Sequence, residues 1–286
     1  MYLLTRRCTQ RQFLLRPSEQ TNQNITYCLA LAARNTGVIL HGVCFMSNHW
    51  HGVLTDPDAR LPEFLERFHR LLAKTQNALL GRRENFWSSE KTSVVLLASH
   101  GAVLEKLAYT LANPVSGGLV DSPSDWPGVI LSFHKTASLA VTRPKVFFDT
   151  AGSQPKQAEL NFARPKIYTE LDDAQFARLL EQATSRFVEN ARAEAAKRGQ
   201  QALGAAAVLN QDPASGPSTP SSSRGINPRI ASKSTKRRVE AIDGMLRFLR
   251  AYREAFTQWR SGVRDVLFPA GTYALRVHSG VTCVPD

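Results

Sequence analysis

Apolar residues along the first half of the chain recur with two different spacings, and the switches between them mark out alternating strands and helices. Residues 2–8 have an extended pattern and predict a strand. Residues 19–35 read as a helix stopped by Gly37. Residues 38–46 are apolar and β-branched at their start, Ser47-Asn48 supplies turn chemistry, and residues 49–55 resume the extended pattern, which together predict a hairpin. A helix then begins near Pro62 and ends at Gly81, with Phe64, Leu65, Phe68, Leu71, Leu72 and Leu79 at helical spacing. Residues 92–97 form a short strand, and Ser99 caps a helix reaching about Asn113, where Pro114 and Gly117-Gly118 break it.

The predicted order is therefore strand, helix, hairpin, helix, strand, helix. An antiparallel sheet with helices on one face accommodates that order, so the expected class is α+β, with a ferredoxin-like arrangement over residues 1–149. Residues 150–210 read as a helical extension whose long helix starts at Thr169 and Asp172 and runs to Arg198. Residues 211–235 form a basic linker, rich in Ser, Pro and Gly at first, whose opening stretch has too little apolar surface to offset its ordering entropy. Residues 236–286 are expected to carry a helix with the stripe Val239, Ile242, Leu246, Leu249, Tyr252, Phe256 and Trp259, followed by a β-hairpin around Phe268-Pro269-Ala270-Gly271.

Composition narrows the function classes. Lysine and arginine outnumber acidic residues 36 to 24, giving a net charge of +12 that favours a polyanionic partner such as nucleic acid. From Arg224 to Arg238 every charge is positive, which suits either a phosphate backbone or a merely solvated tail. The 4 cysteines have no CxxC spacing, so neither a zinc knuckle nor a disulfide framework is indicated. No segment offers about 18 uninterrupted apolar residues, and no apolar leader with a cleavage site opens the chain, so we expect a soluble, cytoplasmic protein without membrane partners.

Two features carry candidate chemistry. In Ser47-Asn48-His49-Trp50-His51, strand alternation points His49 and His51 to one face and Trp50 to the other. Two neutral imidazoles on one face can hold a divalent metal with open positions; a bare HxH also reads as a pair of exposed or hydrogen-bonded strand histidines. On the helix ending near residue 113, Tyr109 falls opposite the apolar face formed by Val103, Leu104, Leu107, Ala108 and Leu111. Asn113, one turn later, shares that side and can offer an oxygen ligand, although asparagine before proline is also an ordinary helix terminator.

His49-Trp50-His51 resembles the histidine, bulky hydrophobe, histidine signature of HUH endonucleases. Tyr109, followed by Asn113-Pro114-Val115-Ser116-Gly117-Gly118-Leu119-Val120, resembles the tyrosine helix of the REP-associated tyrosine transposases. Phe86-Trp87 and Asp125-Trp126-Pro127 extend the resemblance, which covers roughly residues 1–149. It implies that His49, His51 and Asn113 ligate magnesium or manganese and that Tyr109 attacks a phosphodiester, leaving a 5′-phosphotyrosine link and a free 3′-hydroxyl. It also implies transposition and DNA recombination on single-stranded or hairpin DNA, by a monomer or by a homodimer that exchanges the tyrosine helix. Relatives usually have a short lead-in before the first strand, whereas here the initial methionine lies almost on it.

Arg6, Arg7 and Arg11 around the end of the first strand, and Arg67, Arg70 and Lys74 at helical spacing on the second helix, are the candidate phosphate contacts. Two other function classes fit parts of this pattern. One is a DNA-hairpin-binding protein of the same fold that no longer cuts, and the other is an RNA-binding or structural ferredoxin-like domain with an incidental HxH.

Overall fold

The computed structural model describes residues 1–148, 153–218 and 228–284. In chain order its elements are β1 (Tyr2–Arg7), α1 (Glu19–Thr36), β2 (Ile39–Met46), β3 (His49–Thr55), α2 (Leu61–Leu79), β4 (Ser93–Leu97), α3 (His100–Ser116), β5 (Ile130–Ser132), β6 (Ser138–Thr142), β7 (Gln157–Asn161), α4 (Asp173–Lys197), α5 (Ala205–Leu209), β8 (Ile230–Ala231), α6 (Thr235–Arg260) and α7 (Ala274–Ser279). The boundaries follow local chemistry. The Ser18 hydroxyl caps α1, and Gly37 closes it in the left-handed region at φ 71°. The Asp56 carboxylate takes the backbone N–H groups of Arg60 and Leu61 at the start of α2. At α4 the capping box is Asp172 with Gln175, one turn later than the Thr169 start expected from the sequence.

The main sheet runs β5-β2-β3-β1-β4-β8, antiparallel throughout except for the parallel β4–β8 edge. Its central order, β2-β3-β1-β4, with α1 and α2 as the connecting helices, is the ferredoxin-like α+β arrangement expected. Helices on one face, however, describe only α1 and α2, whose side chains pack with Leu4, Phe45, Trp50 and Leu54. α3 and α4 cover the other face, packing with Leu3, Val53, Val95 and Leu97. The adjacent apolar pairs Leu3-Leu4 and Val53-Leu54 explain this, because neighbours on a strand point to opposite faces and both members must be buried.

α3 is thus sandwiched between the sheet and α4. It also continues through Pro114 to Ser116, past the expected break at Asn113. A proline in that position deletes only its own bond to the carbonyl four residues back, and the next turn closes through Gly117 N–H to Asn113 O. Pairing of β6 with β7 brings Ala158, Leu160 and Phe162 into the α1/α2 core, so residues on both sides of the boundary drawn at 149 share one core.

In the C-terminal region, β8 adds to the sheet edge and Tyr252, Phe256 and Trp259 of α6 pack around Phe268. The hairpin expected over residues 263–277 does not form. Among the described residues that stretch holds the start of α7 and one isolated bridge, Phe268 to Cys283. The apolar residues that suggested strands act singly instead, Phe268 as a fully buried plug and Leu267 exposed. Part of the Ser/Pro-rich stretch, Arg224 included, lies outside the described residues. Among the described residues no helix is long and apolar enough to cross a membrane. The cysteines are free, and burial pushes the Cys28 thiol up to about 12.

Gly52 shows how tightly the sheet is packed under the site. A Cβ there would meet Trp50 Cζ3 at 2.6 Å, since residues two apart on a strand share a face. Gly52→Ala must therefore displace the indole, and we expect it to cost about 1–3 kcal/mol. A urea midpoint within error of the parent protein would show that the ring has room to move.

Candidate active site

β3 aims its side chains by alternation. Trp50 is fully buried in the α1/α2 core, stacked on Phe45 with centroids 5.4 Å apart, and donates from Nε1 to His69 Nε2 at 3.2 Å. That anchorage turns His49 and His51 toward α3, with their ring centroids 4.9 Å apart. α3 brings Tyr109 to meet them. Its ring lies 5.4 Å from that of His51, edge to face at 78°. Asn113, one turn further along, lies near enough to the His49 ring to act on it. The two motifs, far apart in the sequence, meet within a single chain.

Each imidazole has a partner on its outer side. His51 Nδ1 lies 2.8 Å from Thr5 Oγ1 on the neighbouring strand, where Thr5 and His51 are paired in register. Its Nε2 is buried and has no hydrogen-bond partner. His49 Nδ1 lies 2.6 Å from Asn48 Oδ1. Burial, with Arg7 nearby as a further cause, lowers His49 to about 4 and His51 well below its usual value. Both rings are therefore neutral at physiological pH, the state in which a ring nitrogen offers a lone pair. An orphaned ring nitrogen beside a second neutral imidazole and an amide is a donor set that fits a divalent cation. Among the described residues no three His, Cys, Asp or Glu side chains converge.

Tyr109 is half-buried. Phe187 of α4 packs against its ring at 6.3 Å, and Lys106 Nζ sits 5.9 Å from its centroid while pairing with Glu105 at 3.1 Å. Tyr109 lies off the apolar face of α3, as its spacing indicates, and α4 reaches it through Phe187. Phe176, Leu180 and Val188 bury that helix against α3.

The candidate phosphate contacts divide into three groups. Arg7 is exposed and stands opposite His49 in the β1–β3 register, so it faces the site, and Arg11 is also near enough to act on His49. Arg6 points the other way and is bound to the carbonyls of Glu90 and Ser88, the latter at 3.0 Å. Arg67 and Arg70 pair with Glu63 and Glu66 at 2.8 and 2.7 Å on α2. With Lys74 they line a 190 Å³ cavity on the sheet face opposite the imidazoles. Phe86 is buried and Trp87 donates to the His69 carbonyl, so both serve packing. Thr5, Asn48 and Phe187 were not foreseen as neighbours of the site. Thr5 was visible only through register, and Asn48 was read as turn chemistry.

No protein-family model and no curated protein matches the chain. Among solved structures it is similar to a REP-associated tyrosine transposase bound to a REP hairpin, at 18% identity and a TM-score of 0.33, over 44% of this chain and 73% of that one. It is also similar to a Deinococcus radiodurans protein named as a candidate transposase, at 18% identity and a TM-score of 0.29, over 35% of this chain and 80% of that one. Likeness of this extent leaves function to be argued from the side chains of the site.

The buried imidazoles also set an acid limit. His41 is lowered to about 4, as is His49, and His69 to about 3. Each unfolded imidazole takes a proton near pH 6.5 that the folded one refuses, so stability present above that pH is lost as pH falls toward 4. Every such histidine adds a slope of about 1.4 kcal/mol per pH unit in that window. Urea unfolding of metal-free protein between pH 7.5 and 5 should show a steep loss of stability, and His41→Gln should remove one proton's worth of slope. A flat profile would mean that these rings are protonated in the folded state.

Proposed function

We propose that the chain is a metal-dependent, HUH-type endonuclease and transposase that cleaves and rejoins single-stranded or hairpin DNA through Tyr109. The observation that carries this reading is the meeting of the Tyr109 ring with a neutral imidazole pair whose inner nitrogen, His51 Nε2, is buried and unpartnered. His49, His51 and Asn113 would hold magnesium or manganese, which when bound supplies Lewis-acid polarisation of the scissile phosphate.

The protein's own residues account for the remaining chemistry. The Tyr109 oxygen forms a bond to phosphorus as the bond to the 3′-oxygen breaks, giving a 5′-phosphotyrosine and a 3′-hydroxyl. The phenol gives up its proton and the departing 3′-oxygen gains one. Because the phosphoester linkage is conserved in the tyrosyl bond, rejoining needs no nucleotide cofactor. Arg7 and Arg11 beside His49 supply positive charge where the phosphates flanking the cut must pass. Thr5 and Asn48 hold the imidazoles from behind. Tyr109 lies against His51 of its own chain, which favours cleavage within one subunit in either a monomer or a homodimer.

A hairpin binder that does not cut shares the fold and the charge but has no use for an unpartnered ring nitrogen facing a phenol. The deciding experiment incubates the protein with end-labelled single-stranded hairpin DNA and manganese and resolves the products on a denaturing gel. We expect a covalent adduct that EDTA, Tyr109→Phe and His51→Ala each abolish, with Tyr109→Phe still binding DNA. Tight binding without an adduct in magnesium or manganese would make the protein a binder, and an adduct that survives Tyr109→Phe would place the nucleophile elsewhere.

A further inference from the structure

One histidine of the pair is held by a chain of contacts that begins in the C-terminal extension. Asn48 makes two side-chain hydrogen bonds, Nδ2 donating to the Arg11 carbonyl at 3.1 Å and Oδ1 lying 2.6 Å from His49 Nδ1. The Arg11 carbonyl can only accept, so it fixes which end of the amide faces the imidazole: the amide oxygen does. His49 must then carry its proton on Nδ1, which leaves Nε2 with the lone pair that ligation requires.

The Arg11 carbonyl is itself set in an unusual backbone. Gln10 and Arg11 lie in the left-handed region at φ 46° and 58°, a conformation that disfavours side-chain-bearing residues unless their surroundings impose it. What surrounds them is residues 214–216. Phe13 N–H donates to Ser215 O at 2.9 Å, Gln12 Nε2 donates to Ala214 O at 2.9 Å, and a Cβ on Gly216 would stand 3.2 Å from the Arg11 oxygen. Arg16 holds the chain leading into that segment through the carbonyls of Leu209 at 3.0 Å and Gln211 at 3.3 Å.

From this geometry we infer that Asn48 is a positioning residue that locks His49 in its Nδ1–H tautomer, and that residues 214–216 clamp the loop carbonyl on which Asn48 depends. The inference deepens the reading of the site as a metal-assisted nuclease and gives part of the extension a task at that site. A stretch that composition alone presents as a linker is thereby a wall of the catalytic scaffold.

The tautomer is read directly by nitrogen-15 NMR of the metal-free protein, with His49 assigned by loss of its signals in His49→Gln. Manganese affinity is read separately by electron paramagnetic resonance. The parent protein should show a single Nδ1–H tautomer. Asn48→Ala should mix the tautomers and weaken manganese binding by about 10- to 100-fold, the usual effect of losing an outer-shell partner. Asn48→Asp, which still accepts from Nδ1–H, should restore the tautomer. Gly216→Val, at an exposed position, should perturb both readouts in the same direction but less, and it carries the test together with Asn48→Asp if Asn48→Ala does not fold. An Nε2–H tautomer in the parent protein, or unchanged tautomer and affinity in the folded Asn48 and Gly216 variants, would overturn the inference. A parent protein with the expected tautomer but no affinity for manganese would sink the metal reading and leave the positioning role standing.

Discussion

The site depends on the burial of one indole. Trp50 sits in the middle of β3, stacked on Phe45 and bonded to His69, and the period of two along a strand converts its inward direction into an opposite direction for both neighbours. A slip of one residue in the register would send Trp50 to the α3 side and bury the imidazoles among Phe64 and Phe68, leaving polar nitrogens without partners in an apolar core. Hydrophobic packing on one face of the sheet therefore dictates the chemistry available on the other. The missing side chain at Gly52 belongs to the same arrangement, since the indole occupies the space a Cβ would need.

The second requirement is a helix that lies close to that other face. α3 reaches β2 over Gly42, where a Cβ would come within 3.1 Å of Leu107 Cδ2. It is then pressed from behind by α4, whose Phe187 touches the same tyrosine that touches His51. A side chain on a helix packed from two sides has few positions to explore, and on the proposed reading a restricted phenol would serve an in-line attack better than one on a free surface.

The fold was largely legible because it rests on local signals. The β1–α1–β2–β3–α2–β4 order follows from the switch of apolar period, and Gly37 and Ser99 announce helix ends by their own chemistry. What was not legible is tertiary. Helices were expected on one face only; Leu3-Leu4 and Val53-Leu54 are buried on both, and a sequence pattern does not state which later helix covers the second. Pro114 looked like a terminator because its local penalty is visible, whereas the packing that carries α3 past it is not. The apolar residues after Gly262 resembled strands because isolated plugs such as Phe268 and paired strands share a composition. At the site, His49, His51 and Tyr109 declared themselves by type and spacing. Thr5 depends on cross-strand register, and the docking of residues 214–216 on the Arg11 loop depends on contacts such as Gln12 to Ala214, 202 residues apart in the sequence.

The electrostatics of the site join these levels. Imidazoles in water near neutrality are partly protonated, and a protonated ring can neither ligate a cation nor accept a hydrogen bond. Burial against α3 removes that competition for His51 and most of it for His49, and the nearby guanidinium of Arg7 acts in the same direction. The same positive charge that keeps the rings neutral would repel a metal ion arriving alone. A polyanion approaching with its own counterions neutralises it, so nucleic acid and metal should bind cooperatively, each lowering the electrostatic cost of the other. On the proposed reading, a chain of net charge +12 with neutral rather than acidic side chains at that site would complete it with the phosphates of a nucleic acid.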